Sequence, residues 1–459
     1  MKRILAIFLL IHLISINIYI EPETAYAQSK TTASKTENTK PISPGGIIPQ
    51  VNLQDAAGKK NNLSEQIKQK PAVIIFYRGG WCPYCNQHLR QLKTIEPKLR
   101  KLGFQILAVS PDRPSELSKS IEKQQMTYKL LSDNKMKAAR AFGIAFRVAD
   151  KTLKKYEQYG IDLQSASGQN HHLLPVPSVF IVGTDGVIDF AYSNPDYKIR
   201  MTAEEVLQAA EDSAMHPDYN EVLKQFVENG FVNYAGLKNN PGKLNQYLET
   251  LSRVPEEEFE SWKTNRQLAY LINLYNAAAL KLIIKNYPVE SIKDTGGFFT
   301  GPFDQKFIRL FGNTVALDTI EHEIIRKKYD EPRIHFALVC AAKSCPQLRN
   351  EAYTAYRLDS QLNDQAKTFL SSRKGLRIDR SKKKVFLSSI FKWFGEDFLN
   401  KYIPESESKF KSFDKTERAV LNFITHYLSS DDKKYLQSAD YTIKYLNYNW
   451  SLNEIQENK

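Results

Sequence analysis

Cysteine is scarce: the 459 residues hold four. They fall into two close pairs, Cys82/Cys85 and Cys340/Cys345. That is too few for a disulfide-scaffolded fold and suits redox or purely local use. No second C-x-x-C and no histidine pair at zinc-finger spacing accompanies the first pair, so a zinc site would lack its other half. Acidic residues are also short, 51 against 64 lysines and arginines, for a formal net charge of +13. Lys2, Arg3, Glu21 and Glu23 cancel, so removal of the first segment would leave that excess unchanged. The surplus is spread along the chain, with small clusters such as Arg380-Ser381-Lys382-Lys383-Lys384. It reads as a solvated surface with at most a weak attraction to anionic lipid or polysaccharide. No recognition motif accompanies it, which argues against nucleic acid as a partner.

Long apolar runs are rare as well. One runs from Ile4 to Ile20, behind the basic Met1-Lys2-Arg3 and ahead of the small-x-small triplet Ala25-Tyr26-Ala27. This pattern reads as a secretory signal segment over residues 1–27, with cleavage before Gln28. The alternative is an uncleaved anchor, since the run is close to the minimum for a span, and no other stretch reads as long or apolar enough to span a bilayer. No cysteine follows the run, which argues against a lipid-modified chain. The reading places the protein outside the cytoplasm, in a bacterial periplasm or cell envelope. Residues 28–46 are Ser, Thr, Lys, Asn and Pro with few apolar residues, and are expected to be a flexible tether.

What is present is one stretch around which the first half is organised. Ala72-Val73-Ile74-Ile75 reads as a buried strand, and Leu89, Leu92, Ile95, Leu99 and Leu102 read as the apolar face of a helix. Between them lies Phe76-Tyr77-Arg78-Gly79-Gly80-Trp81-Cys82-Pro83-Tyr84-Cys85. Cys82 therefore stands where a strand turns into a helix. Unpaired N–H groups and the positive end of the macrodipole stabilise an anion there, so its thiol acidity rises and it becomes a nucleophile. Cys85, one turn along, can attack the mixed disulfide that results. Such chemistry calls for no cofactor or metal. Further strands are read at Phe104 to Ser110 and Tyr128 to Leu131, and helices at Ser115 to Gln125, capped by Ser115, and Lys135 to Phe142. Ser178 to Tyr192 reads as a hairpin turning at Thr184-Asp185-Gly186, and Ala203 to Glu211 as a closing helix. Alternating β and α elements argue for a sheet flanked by helices.

Residues 47–214 resemble the alkyl hydroperoxide reductase/thiol-specific antioxidant superfamily, the peroxiredoxin-like branch of the thioredoxin fold. The resemblance is carried by Phe76 to Cys85, Val109-Ser110-Pro111, Leu131-Ser132-Asp133, Ala141-Phe142-Gly143, Leu174-Pro175-Val176-Pro177 and Asp196-Tyr197-Lys198-Ile199-Arg200. It implies Cys82 as attacking thiol and Cys85 as resolving thiol, supported by Trp81 and Pro83. It also implies a cis bond before Pro177, facing the active site. The chain departs from the family's peroxidases, which carry Pro-x-x-x-Thr/Ser-x-x-Cys. Here those positions are Ile75 and Gly79, so peroxide cleavage lacks preorganised donors. Arg78 and Arg147 are the candidates for the expected arginine, and His171-His172 for tuning the thiolate. The Pro83-Tyr84 interior matches glutaredoxins. Thiol–disulfide exchange is therefore favoured over peroxide reduction, with protein or small-molecule disulfides as partners and an unidentified electron donor.

Pro217 marks a boundary, and residues 218–455 read as mainly α with minor β. Leu268, Leu271, Ile272, Tyr275, Ala279, Leu282 and Ile283 form a helical stripe ending before Pro288. Asp318-Thr319-Ile320-Glu321 reads as a capping box, and Arg333 to Cys340 as a strand or a buried helix. Asn273 and Asn276 share one helix face and are expected to be buried hydrogen-bonders. Further helices are read at Ser360 to Leu370 and Lys415 to Leu428. This half resembles the family called domain of unknown function 547, on Ile272 to Ala277, Leu317 to His322, Arg333 to Leu338, Cys340 to Pro346, Phe391 to Phe398 and Tyr448 to Asn453. No activity follows from that name. Locally, Cys340 and Cys345 with His322 and His335 could form a Cys-His nucleophile pair, a metal site, a local disulfide or buried thiols. The ~4.4–6.8 Å Cα separation that a disulfide needs is within reach if the segment turns. The Cys82/Cys85 pair is then expected to reduce it, in the same chain or a neighbour. The helical half is either the substrate-binding partner of the redox domain or itself a hydrolase-like or binding module that the redox domain serves. N-terminal sequencing of the native protein should begin near Gln28; recovery of Met1 would contradict the signal reading.

Overall fold

The structure is a computed structural model that describes residues 32–297, 300–406, 409–438 and 440–455. The expected signal segment lies outside them. In the first half the strands are β1 (Asn52–Gln54), β2 (Lys60–Asn62), β3 (Ala72–Phe76), β4 (Gln105–Ser110), β5 (Lys129–Ser132), β6 (Ala145–Arg147), β7 (Leu173–Pro175), β8 (Ser178–Val182) and β9 (Ile188–Ser193). The helices are α1 (Leu63–Gln69), α2 (Pro83–Lys101), α3 (Pro114–Gln124), α4 (Lys137–Ala141), α5 (Asp150–Gln158), α6 (Leu163–Ser167), α7 (Ala203–Met215) and α8 (Pro217–Phe226).

β3 is the middle of the architecture because all its side chains are apolar and all are buried. A strand covered on both faces needs no alternation. It pairs parallel to β4 and antiparallel to β8, within a seven-stranded sheet of order β2-β1-β5-β4-β3-β8-β9. Val73 and Ile75 pack on one face with Leu89, Leu92 and Leu99 of α2 and Val206 of α7. Ile74 and Phe76 pack on the other with Leu63 and Ile67 of α1 and Phe142 after α4. This is the helix-flanked mixed sheet of a thioredoxin-like fold.

Three local expectations need correction. The cap of α3 is Arg113 with Pro114 at the first helical position, not Ser115, because proline's fixed φ suits that place. The bond before Pro177 is not cis; among the described residues the cis bond is Tyr287-Pro288. From Thr32 onward the expected flexible tether lies along the domain. Ala33 N–H bonds Ala145 O at 3.0 Å, Lys40 N–H bonds Gly143 O at 2.9 Å, and Ile42 is buried. Backbone pairing and one apolar anchor hold a polar segment whose composition signals neither.

No linker separates the halves. α7 ends at Met215, and α8 begins at Pro217. Asp212 accepts the N–H of Ala355 at 3.1 Å, Phe190 packs edge-on against Tyr356 at 4.4 Å, and Arg266 pairs with Glu211 at 3.4 Å. The second half is built on the helix Thr264–Asn286. It is long and apolar enough to cross a membrane, which corrects the expectation that no stretch beyond the first apolar run is, yet 94% of its apolar window is buried in the protein. Around it stand further helices, including Leu358–Ser371 and Lys415–Ile424, a three-stranded sheet and short hairpins, so the domain is mainly α with minor β.

Asn273 and Asn276 do what their buried positions require. Asn273 accepts from Tyr353 N–H at 2.9 Å and donates to Tyr353 O at 2.8 Å. Asn276 accepts from Val339 N–H and donates to Ala337 O, both at 2.9 Å. Asp318 does not cap: its φ of −55° and ψ of −40° are already helical, and the turn Thr319–Ile325 is π-helical. Pro332–Phe336 is a 3-10 turn rather than a strand or buried α-helix. Asn276→Ala leaves the Val339 N–H and Ala337 C=O buried without partners, and should cost about 2–4 kcal/mol in denaturant unfolding.

Candidate functional sites

The first site is the end of α2. Cys82 is its N-cap with extended backbone (φ −89°, ψ 113°), and Pro83 opens the helix. The Cys82 N–H reaches back to Gly79 O at 3.1 Å. Both cysteines are free and buried, Cys82 at 1% exposure. The Cys82 thiol is lowered to about 6, first by the Cys85 thiol donating to it, then by the Arg78 charge, the Cys85 backbone N–H and the Arg200 charge, all against the cost of burial. Cys85 moves the opposite way, pushed well above the usual thiol range by burial and by the hydrogen bond to Cys82. The two thiols thus differ in acidity: Cys82 is the more readily ionised, and Cys85 is held protonated.

The loop that delivers Cys82 is fixed by two glycines. Gly79 has φ +144°, in the region that favours glycine, and a Cβ there would run into the Trp81 indole and the Asp112 carboxylate. The Gly80 N–H donates to Asp112 Oδ2 at 2.7 Å, and Ser110 Oγ donates to the same oxygen at 3.1 Å. Burial raises the Asp112 carboxyl to about 6 despite those donors. Arg78, 3% exposed, sits in an aromatic box, with its guanidinium 4.1 Å from the Tyr197 ring centroid and 5.0 Å from that of Trp81, and donates to the Tyr156 hydroxyl. Ile75 points into the core.

Of the arginine candidates, Arg78 is at the thiolate and Arg147 is not: its guanidinium bonds His171 O at 3.4 Å. The second arginine at the site is Arg200, whose Nη2 donates to Cys85 Sγ at 3.5 Å and whose Nε donates to Tyr197 O at 2.8 Å. It closes a segment already marked by resemblance, but nothing local signalled a role 115 positions from Cys85. His171 bonds Asn134 O and His172 pairs with Gln164, so neither tunes the thiolate. The histidine at this site is His88, unremarked in the sequence; burial and then Arg200 lower it to about 4, which keeps it neutral. Pro177 is buried between β7 and β8.

The second site is a cavity of about 130 Å³ whose walls include His322, His335, Cys340 and Cys345, with Glu321 and Tyr448. The structure thus gathers the four residues suspected in this half, and joins Cys340 to Cys345 in a disulfide with Cα atoms 6.4 Å apart. A Cys-His nucleophile pair is not formed. His335 Nε2 meets Asp397 Oδ2 at 2.7 Å, its Nδ1 faces Glu321 at 3.9 Å, and its ring stacks on Phe394 at 4.2 Å. Arg326 Nη1 donates to His322 Nδ1 at 3.0 Å. Asp397 is the unforeseen residue; burial pushes its carboxyl up, but Arg326, gripping it at 2.7 and 2.8 Å, and His335 hold it well below the usual carboxylate range. Sulfurs bound to each other are not thiolate ligands, and no group of His, Cys, Asp and Glu that could hold a metal ion occurs among the described residues.

Residues 44–191 match the AhpC/TSA family. Residues 259–370 match the protein of unknown function family DUF547. Peroxiredoxin Bcp of Escherichia coli (strain K12) is 31% identical over 104 residues, 23% of this chain and 66% of that protein. The chloroplastic peroxiredoxin Q of Gentiana triflora is 33% identical over 103 residues, 22% of this chain and 47% of that protein. The chain thus spans from about half to just under two thirds of the length of these relatives. The solved peroxiredoxin Q of Xanthomonas campestris is 22% identical, covers 37% of this chain and 98% of its own, and superimposes with a TM-score of 0.29.

The thiolate at Cys82 should be present above about pH 6 and lost below it. Its folded value lies under that of a free thiol, so its contribution to stability fades as pH falls through that point. Thiolate absorbance in the ultraviolet, absent in Cys82→Ser, should titrate there, with no second transition from Cys85 before pH 9.

Proposed function

We propose that the first domain is a two-cysteine thiol–disulfide oxidoreductase whose substrates are disulfides of proteins or small molecules. The observation that carries this reading is the pair of free thiols at the start of α2 with opposite acidity shifts. Cys82 thiolate attacks one substrate sulfur, and the substrate's other sulfur leaves as a thiolate. Cys85 then attacks Cys82 of the mixed disulfide and releases the second substrate thiol. Substrate gains two electrons, and Cys82–Cys85 becomes a disulfide that an external dithiol must reduce. Arg78 and Arg200 favour the anionic sulfur, and the buried Cys85 keeps its proton until the mixed disulfide removes the Cys82 charge beside it.

The loop favours this reading over peroxide cleavage. The position where the peroxidase motif has its hydroxyl is Gly79, and its backbone and neighbours exclude threonine or serine. A second reading, peroxide reduction, is favoured by a different observation: Cys82 is 1% exposed, which suits a substrate as small as hydrogen peroxide. The relatives named peroxiredoxin point the same way. Peroxide would oxidise Cys82 to a sulfenic acid with release of water, and Cys85 would condense with it, expelling a second water. In either reading the protein acts in the periplasm or envelope, a proposal supported by residues 1–27 and by an oxidised Cys340–Cys345 pair, which suits an oxidising compartment.

Cys82→Ser should reduce insulin disulfide reduction to the uncatalysed background. Cys85→Ser should accumulate the mixed disulfide on Cys82, identified by peptide mass spectrometry. Hydrogen peroxide should be consumed at a kcat/KM orders of magnitude below the ~10⁸ M⁻¹s⁻¹ of the fastest enzymes. A rate near that ceiling, with weak insulin reduction, would install the second reading.

A further inference from the structure

The disulfide of the second domain is not symmetrical in its surroundings. Cys345 is 3% exposed, whereas Cys340 is only partly buried, and both border the cavity. Cys345 Sγ accepts the backbone N–H of Cys340 at 3.1 Å and lies 3.1 Å from the Tyr448 hydroxyl. Cys340 Sγ lies 3.2 Å from the same hydroxyl and has no backbone donor among the described residues. Burial, reinforced by the Glu321 charge, keeps the Tyr448 hydroxyl protonated and therefore able to donate. In thiol–disulfide exchange the departing sulfur takes the negative charge, so the better-solvated sulfur leaves. Tyr448 has one proton to give to either sulfur, while the Cys340 N–H serves Cys345 alone, so Cys345 has one donor more.

The loop is also held without the bond. Lys343 N–H donates to Ser451 O at 2.8 Å, Asn453 N–H to Ala341 O at 2.9 Å, and Lys374 Nζ to Cys345 O at 2.6 Å. These contacts place the two sulfurs side by side whether or not they are joined, so a reduced pair stays ready to close again. Over the cavity stand Trp393, 45% exposed, and Trp450, with ring centroids 6.0 Å apart, and Tyr448 lies 4.6 Å from Trp450. An aromatic wall around so small a space admits a small thiol rather than a folded partner.

We propose that Cys340–Cys345 is a second thiol–disulfide exchange centre, opened by attack of a small thiolate on Cys340 with Cys345 as leaving group. The incoming sulfur bonds Cys340 Sγ; the Cys340–Cys345 bond breaks, and its electron pair stays on Cys345 Sγ, which then takes a proton from water. A second thiol attacks the mixed disulfide and frees Cys340. Two thiols are oxidised to one disulfide, and one disulfide is reduced to two thiols. This proposal does not rest on the function assigned to Cys82.

The test uses the full chain carrying Cys82→Ser and Cys85→Ser, oxidised, so that a single pair remains. It is exposed briefly to 2-mercaptoethanol, acid-quenched, alkylated and mapped by peptide mass spectrometry. The adduct should lie on Cys340, with the alkyl label on Cys345, in at least about tenfold excess over the reverse, since one extra hydrogen bond to an anion is worth about that factor. Tyr448→Phe should slow opening by about tenfold. An adduct on Cys345, an even mixture, or a bond that opens only under denaturant would overturn the proposal. Should Tyr448→Phe fail to fold, the adduct map of the unsubstituted loop decides alone.

Discussion

The chain must leave a strand buried on both faces and, within a few residues, present a cysteine at the first turn of a helix. That crossing governs the first domain. β3 ends at Phe76, and the Tyr77 N–H still pairs with Val109 O at 3.0 Å, so the sheet holds the chain until the loop begins. The turn is then made by Gly79 at φ +144°, and Asp112 grips the next N–H. The path that sets Cys82 as N-cap is the one that removes any side chain from position 79. Arg78, carried inward on the same loop, lies in an aromatic box, and its charge bears on the Cys82 thiol.

In the second domain the corresponding constraint is the face of Thr264–Asn286 that carries two asparagines. A buried side-chain amide can replace a missing strand partner, because it offers one donor and one acceptor at backbone spacing. Asn276 does this for Ala337 and Val339, immediately before Cys340, and Asn273 does it for Tyr353. Two irregular segments are thereby held against a regular helix. One ends in the disulfide loop, and the other runs into the residues that meet Asp212 and Phe190 of the first domain.

Elements whose cause is local could be read from the sequence, and elements whose cause is distant could not. β3, β4, the β8–β9 hairpin, α2 and the long helix announce themselves by apolar runs, periodicity and turn residues. The buried asparagines were legible because polar residues on an apolar face must be satisfied. Arg200, Tyr448 and Asp397 were not, since their partners lie 115, 103 and 62 positions away. The polar stretch from Thr32 failed for a related reason: composition reports what a segment can bury, while its docking depends on backbone groups that neighbouring loops leave free. Asp318 failed because its own backbone is already helical where the π-helical turn begins at the next residue.

The two cysteine pairs stand on unrelated scaffolds, yet their sulfurs meet the same physical problem. A thiolate in a protein interior survives only if nearby donors replace water. At Cys82 the donors are the Cys85 thiol and backbone N–H, aided by two guanidinium charges. At Cys345 they are the Cys340 backbone N–H and a tyrosine hydroxyl, with Lys374 bound to the carbonyl of the same residue. The difference lies in charge: at Cys82 two guanidinium charges favour a standing anion before any substrate arrives, while the groups that meet the Cys345 sulfur are neutral dipoles and the Lys374 ammonium meets only the carbonyl. The first arrangement suits a sulfur that attacks, the second one that is displaced.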